Sequence, residues 1–281
     1  MPLLFVAIWA TGFIVARMVA PHVDPLSFLV IRFTISAAAF AALAFMTKAP
    51  WPKDTRAWTN AAIAGVLIQG IYLSGVFWSV RHGLPTGIAA LITGLQPLLT
   101  ALLAAPLLGE IVGRRRWCGI LLGFAGALLV LSPQLRVASG SLLLAPLLAA
   151  GASMIGITLG TIWQKRTGAV ADLRTGAAVQ FAGAALFTLP IALATETGRF
   201  DFSLEAWIGL AWAVCGLSLG AISLLLIMIR RGAVARVASM FYLVPPVVAL
   251  IAFAAFGEAL TTLQIGGMAT AAAGVALAGR G

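Results

Sequence analysis

The sequence predicts an all-α integral membrane fold, with ten transmembrane helices arranged as two inverted five-helix repeats around a central cavity. Composition, the spacing of apolar runs and an internal self-match predict it. Of 281 residues, 62% are hydrophobic and 9% charged, with a mean hydropathy of +1.07. A soluble domain carries roughly 25% charged residues. That much apolar surface needs lipid as its solvent, and the 30 glycines spread along the chain suit helices that approach one another closely in a bilayer.

A helix crosses the hydrocarbon core with about 20 apolar residues. Runs of that kind fall at residues 2–20, 26–47, 57–80, 85–108 and 115–133 in the first half. The second half repeats the count at 141–163, 173–195, 205–229, 234–256 and 261–279. Between them lie Pro, Gly and charges, as at Lys48 to Asp54 and Glu110 to Arg116, which break helices and need water. The first run is followed by another apolar run rather than by a cleavage site, so it reads as the first span.

An offset of 148 positions lays Pro97 on Pro245, Gly109-Glu110 on Gly257-Glu258, Gly119 on Gly267 and Gly126 on Gly274. The chain therefore reads as two copies of one unit, 1–135 and 136–281, each of five spans. An odd number of spans per unit makes the second copy enter from the opposite side, an inverted repeat typical of transporters.

The net charge of +10 is carried by short gaps between spans, with no basic stripe through a polar domain, which argues against nucleic acid as a partner. With the N-terminus cytoplasmic, the inner gaps and C-terminal end hold Lys48, Lys53, Arg56, Arg114, Arg115, Arg116, Lys165, Arg166, Arg174, Arg230, Arg231, Arg236 and Arg280. The outer side then holds Arg17, Arg32, Arg81, Arg136 and Arg199. That asymmetry orients both termini toward the cytoplasm, and a bacterial inner membrane is the expected location.

Two stretches carry a family resemblance. LLTALLAAPLLGE followed by RRRWCGILLGFAGALLVL, together with the opening WATGFIVARMV and DPLSFLVIRF, resembles an EamA-type repeat of the drug/metabolite transporter superfamily, which includes the bacterial aromatic amino acid exporter. The likeness covers essentially the whole chain. It implies a carrier or exporter of amino acids, metabolites or drugs, proton-coupled or facilitative, whose fourth and ninth helices line the cavity. Here those are the spans of Pro97 and of Pro245-Pro246.

A proline inside a helix frees the carbonyl four residues back, here Thr93, Phe241 and Tyr242, and paired breaks in both halves point to a midplane site or to simple kinks. The candidate lining is Trp9, Gln69, Tyr72, Trp78, Thr93, Gln96, Trp163, Gln180, Ser218 and Tyr242. Gln96 leads, because an amide beside Pro97 offers both donor and acceptor to a zwitterion. Trp78 and Trp163, near span ends, also fit an interfacial belt. No fixed charge is expected at the centre, which suits a net-neutral amino acid. Arg32 snorkels or pairs with Asp24, or else Arg32 or Arg17 meets a substrate carboxylate at the outer mouth. His82 is the one candidate for neutral-range coupling, and its place at a span end favours facilitated passage.

Catalysis finds no support. Gly216-Leu217-Ser218-Leu219-Gly220 has the letters of a nucleophile elbow, but no histidine follows His82, and the two glycines read as a helix contact. His22, His82, Cys118 and Cys215 are too scattered for a metal site, and no phosphate loop is present. Neither cofactor nor metal is expected, an oligomer is not implied, and the partners are a small-molecule substrate and membrane lipid.

Overall fold

The computed structural model describes residues 2–109, 112–137, 144–167, 172–231, 234–256 and 261–279. They form ten helical rods: α1 Pro2–Val19, α2 Pro25–Met46, α3 Thr55–Arg81, α4 86–108, α5 Arg114–Val137, α6 Leu144–Thr167, α7 Leu173–Thr195, α8 Leu204–Arg231, α9 234–256 and α10 Thr262–Gly279. Among the described residues seven rods, α2, α3, α4, α6, α7, α8 and α10, are long and apolar enough to cross a membrane. Shorter apolar stretches lie in α1 and α9, Leu3–Val19 and Val237–Ile251. The described residues contain no strand, only an isolated antiparallel bridge between Val23 and Phe200.

Large apolar side chains point outward along the rods, among them Leu102, Leu148, Leu186 and Leu193. Such a surface suits lipid and would drive association in water. Inside, buried hydroxyls close back onto their own helices, as Thr93 Oγ1 does on the Ala89 carbonyl at 2.9 Å and Thr158 Oγ1 on Met154 at 2.7 Å. Those bonds satisfy polar groups where no water competes.

Two pairs of rods pack antiparallel along their length. In the first, α2 packs on α7: Phe40 stacks on Phe181 at 5.8 Å, the start of α2 meets Glu196, and Thr175 Oγ1 reaches the Pro50 carbonyl at 3.0 Å. In the second, α5 and α10 meet through glycine. A Cβ on Gly119 would collide with Ala278 N and sit 2.7 Å from Gly274 O, and one on Gly126 would collide with Ala271 N and sit 2.7 Å from Gly267 O. These backbones touch because no side chain intervenes. Around these pairs α1 packs on α8 and α9, while α6 packs on α3 and α4.

Four rods are irregular: α3 and α8 where continuous helices were expected, α4 and α9 at the prolines where breaks were expected. α3 and α8 contain π-helical segments, Val66–Ile71 and Ala213–Ile222. α4 breaks between Thr86–Thr93 and Gln96–Leu108, and α9 passes through a 3-10 turn, Met240–Leu243, before Val244–Phe256. Pro97 and Pro245 thus stand in the first turn of a new half-helix, where a missing N–H breaks no bond. They are starts rather than mid-helix kinks. The glycine reading of α8 holds in part: a Cβ added at Gly216 would come 2.7 Å from the ring of Trp212 on its own helix, and one added at Gly220 would come 3.8 Å from Ile8 of α1. Glu110 and Glu258 lie outside the described residues.

Candidate functional site

Three features follow one another along the bundle: a sealed end, a small central cleft and a wider cavity at the opposite end. The seal joins the α1–α2 turn to the α7–α8 loop. Glu196 accepts from Leu26 N at 2.9 Å and from Ser27 N at 2.7 Å, capping the positive N-terminus of α2. Asp24 accepts from Thr197 N at 3.1 Å, Thr197 Oγ1 at 2.9 Å and Arg199 N at 2.9 Å. His22 Nδ1 lies 2.7 Å from Asp201 Oδ2. Burial works against ionisation of Asp24, but the bonds from Arg199 and Thr197 win and hold its carboxyl below the usual range.

The other end carries Lys48, Lys53, Arg56, Lys165, Arg166, Arg174, Arg230 and Arg231 at helix termini and loops. A cavity of about 270 Å³ lies there, bounded by Pro50 to Asp54, Gln164, Asp172, Gln180 and Arg230. Gln180 Nε2 donates to Gln164 Oε1 at 3.1 Å on its wall. Arg174 forms a two-bond pair with Asp172 at 3.0 and 2.9 Å, which pulls that carboxyl down to about 2.

Between them a cleft of about 30 Å³ is lined by Trp9, Phe13, Arg32, Tyr72, Phe77 and Leu217. A second, of about 10 Å³, shares Trp9, Phe13 and Tyr72 and extends to Thr93, Gln96, Phe241 and Pro245. The rings of Trp9 and Tyr72 lie 6.0 Å apart and nearly parallel, at 15°. Gln96 Nε2 donates to Thr100 Oγ1 at 3.3 Å, and its buried Oε1 has no partner.

Five sequence candidates thus meet in one lining: Trp9, Tyr72, Thr93, Gln96 and Pro245. Pro97 and Pro246 are buried close by in the chain. The others lie elsewhere. Tyr242 packs its ring against Gly123 and Phe124 with an unpartnered hydroxyl, in a cluster with Ile120, Ala127 and Ala278. Trp163 ties α6 to α3 by donating to the Asn60 carbonyl at 3.1 Å. Trp78 stacks on exposed His82 at 3.9 Å at the end of α3, outside all three cavities. Gln69 is fully buried in the first π segment with both amide atoms unpartnered.

Arg32 departs from expectation. It neither snorkels nor pairs with Asp24: it is 2% exposed, and its Nε donates to Ser218 Oγ in the second π segment at 3.1 Å. Nη1 has no partner. The centre therefore holds a fixed cation, and the premise of an uncharged lining fails. Hydropathy alone missed it, because the groups that bury Arg32 come from α1, α3 and α8.

Seven long apolar helices around buried polar and aromatic clefts mark a multi-pass membrane protein. The chain belongs to the EamA-like transporter family, which it matches over residues 1–132 and again over 144–280. It is 26% identical over 261 residues to the Escherichia coli K12 protein named "Uncharacterized inner membrane transporter YedA", covering 92% of this chain and 82% of that one. It is 28% identical over 134 residues to a Salmonella typhimurium protein named "Probable amino-acid metabolite efflux pump". That match takes in 48% of this chain and 42% of the relative, so the aligned part spans under half the pump's length. One crystal structure shares the fold at a TM-score of 0.80 and 21% identity, over 99% of this chain and 95% of its own.

Proposed function

We propose that this protein exports small amphipathic solutes, amino acids or their metabolites, across a bacterial inner membrane by alternating access. In this reading units 1–135 and 136–281 are inverted repeats with both termini in the cytoplasm, and the substrate binds at the cleft of Trp9, Tyr72, Thr93 and Gln96. The observation that carries it is the one-ended arrangement of space: a sealed seam at one face, a wide cavity at the basic face and a buried aromatic cleft between. A carrier caught open toward the basic face has that form.

Further support comes from equivalence between the halves. The antiparallel pairs α2–α7 and α5–α10 each join corresponding rods, and both kinds of irregularity recur five rods later. The excess of Lys and Arg at the wide-cavity end fits a cytoplasmic face. The name of the Salmonella relative supports amino-acid metabolites as cargo, and that of the Escherichia coli relative supports the inner membrane. Neither central cleft is lined by a carboxylate or histidine among the described residues, which favours passage down the solute's own gradient.

Efflux from proteoliposomes loaded with a mixture of labelled aromatic amino acids and their deaminated forms tests this. Wild-type protein gives saturable flux, Gln96→Ala lowers it about tenfold while the melting temperature holds, and Trp9→Ala lowers it as far with a lower melting temperature, because it empties a buried ring site. Flux that rises linearly with concentration, or is untouched by both substitutions, removes the reading.

A further inference from the structure

We infer that Arg32 is the receptor for a substrate carboxylate, and that the preferred cargo is a net anion: an apolar monocarboxylate, the deaminated or N-acylated form of an amino acid rather than its zwitterion. This rests on the central cleft being the transport site.

Arg32 has five N–H donors in a planar fork. Nε is used by Ser218, and Nη1 is buried without a partner beside the cleft of Trp9, Phe13, Tyr72 and Phe77. Of the eight acidic residues, Asp24, Glu196 and Asp201 belong to the sealed end, Glu205 to the first turn of α8, and Asp54 and Asp172 to the basic end. Glu110 and Glu258 lie outside the described residues. Arg32 and Arg116 are the buried charged side chains among the described residues, so no buried acid there offsets Arg32.

A guanidinium held away from water without a counterion is costly, and a ligand that brings the counterion recovers that cost on binding. The fork of Arg matches the two oxygens of a carboxylate, which Lys does not do. The space beside it suits such a headgroup in size, at about 30 Å³. Phe13, Phe77, Leu217 and Ile222 line the same cleft as Arg32 and offer apolar surface to a hydrocarbon or aromatic tail. An ammonium would find no anion among the described residues of either central cleft. A zwitterion therefore leaves one charge unpaired there, and a simple carboxylate leaves none.

The probes are 3-phenylpropionate, its amide 3-phenylpropionamide and L-phenylalanine, added to detergent-purified full-length protein, with binding read by tryptophan fluorescence and by thermal shift. Wild type binds the carboxylate at least tenfold tighter than the amide or phenylalanine. Arg32→Gln brings the carboxylate-to-amide ratio near one without losing the amide, and Arg32→Lys recovers only part of the preference. Ser218→Ala removes only the hydroxyl that orients the fork, and weakens carboxylate binding several-fold on an intact fold. It keeps the test valid if the Arg32 variants do not fold. A wild type that binds phenylalanine as tightly as 3-phenylpropionate, or a Ser218→Ala and an Arg32→Gln protein that keep full discrimination, overturns the proposal. Trp9→Ala separates the two readings. Loss of all binding in Trp9→Ala with discrimination independent of Arg32 leaves the central site standing and removes the carboxylate role, whereas unaltered binding in Trp9→Ala removes the central site itself.

Discussion

Replacing Gly126 by Ala sets a methyl group into the backbone of α10, against Ala271 N and Gly267 O. Neither neighbour is a side-chain tip that can rotate aside. Overpacking of this kind costs about 1–3 kcal/mol, so thermal denaturation in detergent should show a clearly lower midpoint. Gly151→Ala is the control, because its added Cβ meets nothing within 4 Å, and a helix interior favours Ala over Gly by roughly 0.5–1 kcal/mol. Equal midpoints for the two variants would mean that α5 and α10 are not in direct backbone contact. These glycines were legible in the sequence because a close approach needs a small residue at a fixed repeat offset. Arg32 was not, since its burial depends on three other helices and a linear hydropathy profile contains no partners. Tyr242 failed as a cleft candidate for the same reason: adjacency to Pro245 in the chain says nothing about which side of α9 the ring occupies.

Among the elements, the seal between the α1–α2 turn and the α7–α8 loop is built from carboxylates that act as caps and bridges. Asp201 is drawn down to about 2 by its hydrogen bonds from Ser203 and from His22. An unfolded Asp titrates near roughly 3.9. Because the folded pKa is depressed, the stability Asp201 contributes is complete above the unfolded value and is lost as pH falls through the window down to about 2. Thermal midpoints should therefore drop between about pH 4 and pH 2, and Asp201→Asn should show a smaller drop over that interval. An identical acid limb in both proteins would mean that the bonds to Asp201 do not persist in solution. The seal was invisible in the sequence, because Asp24 and Glu196 are far apart in the chain and each looks like an ordinary helix-end charge. The π segments of α3 and α8 were equally hidden: a π turn keeps an apolar run apolar while shifting the register of what faces inward. The helix breaks before Pro97 and Pro245 were readable, since proline has no N–H to donate.

For the molecule as a whole, the proposed alternating access would require the sealed face to part on each cycle, so that locking it stops transport. Val23 and Phe200 form an antiparallel bridge across the seam, and paired residues of that kind bring their Cβ atoms within about 4.5–5.5 Å. That approaches the spacing a disulfide needs, with Cβ atoms usually about 3.5–4.5 Å apart. Val23→Cys combined with Phe200→Cys, in a background where Cys118 and Cys215 are replaced by Ser, should cross-link under mild oxidation. Oxidised protein in proteoliposomes should lose flux at least tenfold and regain it with a reductant, while either single cysteine should respond to neither treatment. The bond should also leave solute access to the 270 Å³ cavity intact, because that cavity lies at the opposite end of the rods. Reaction of a Lys53→Cys variant with a soluble maleimide measures this directly, since Lys53 is exposed at the mouth. Unchanged labelling with blocked flux would locate the moving barrier at the seam. Full flux through the cross-linked protein would mean that the seam never opens, and that solutes pass by a route other than the one between the two halves.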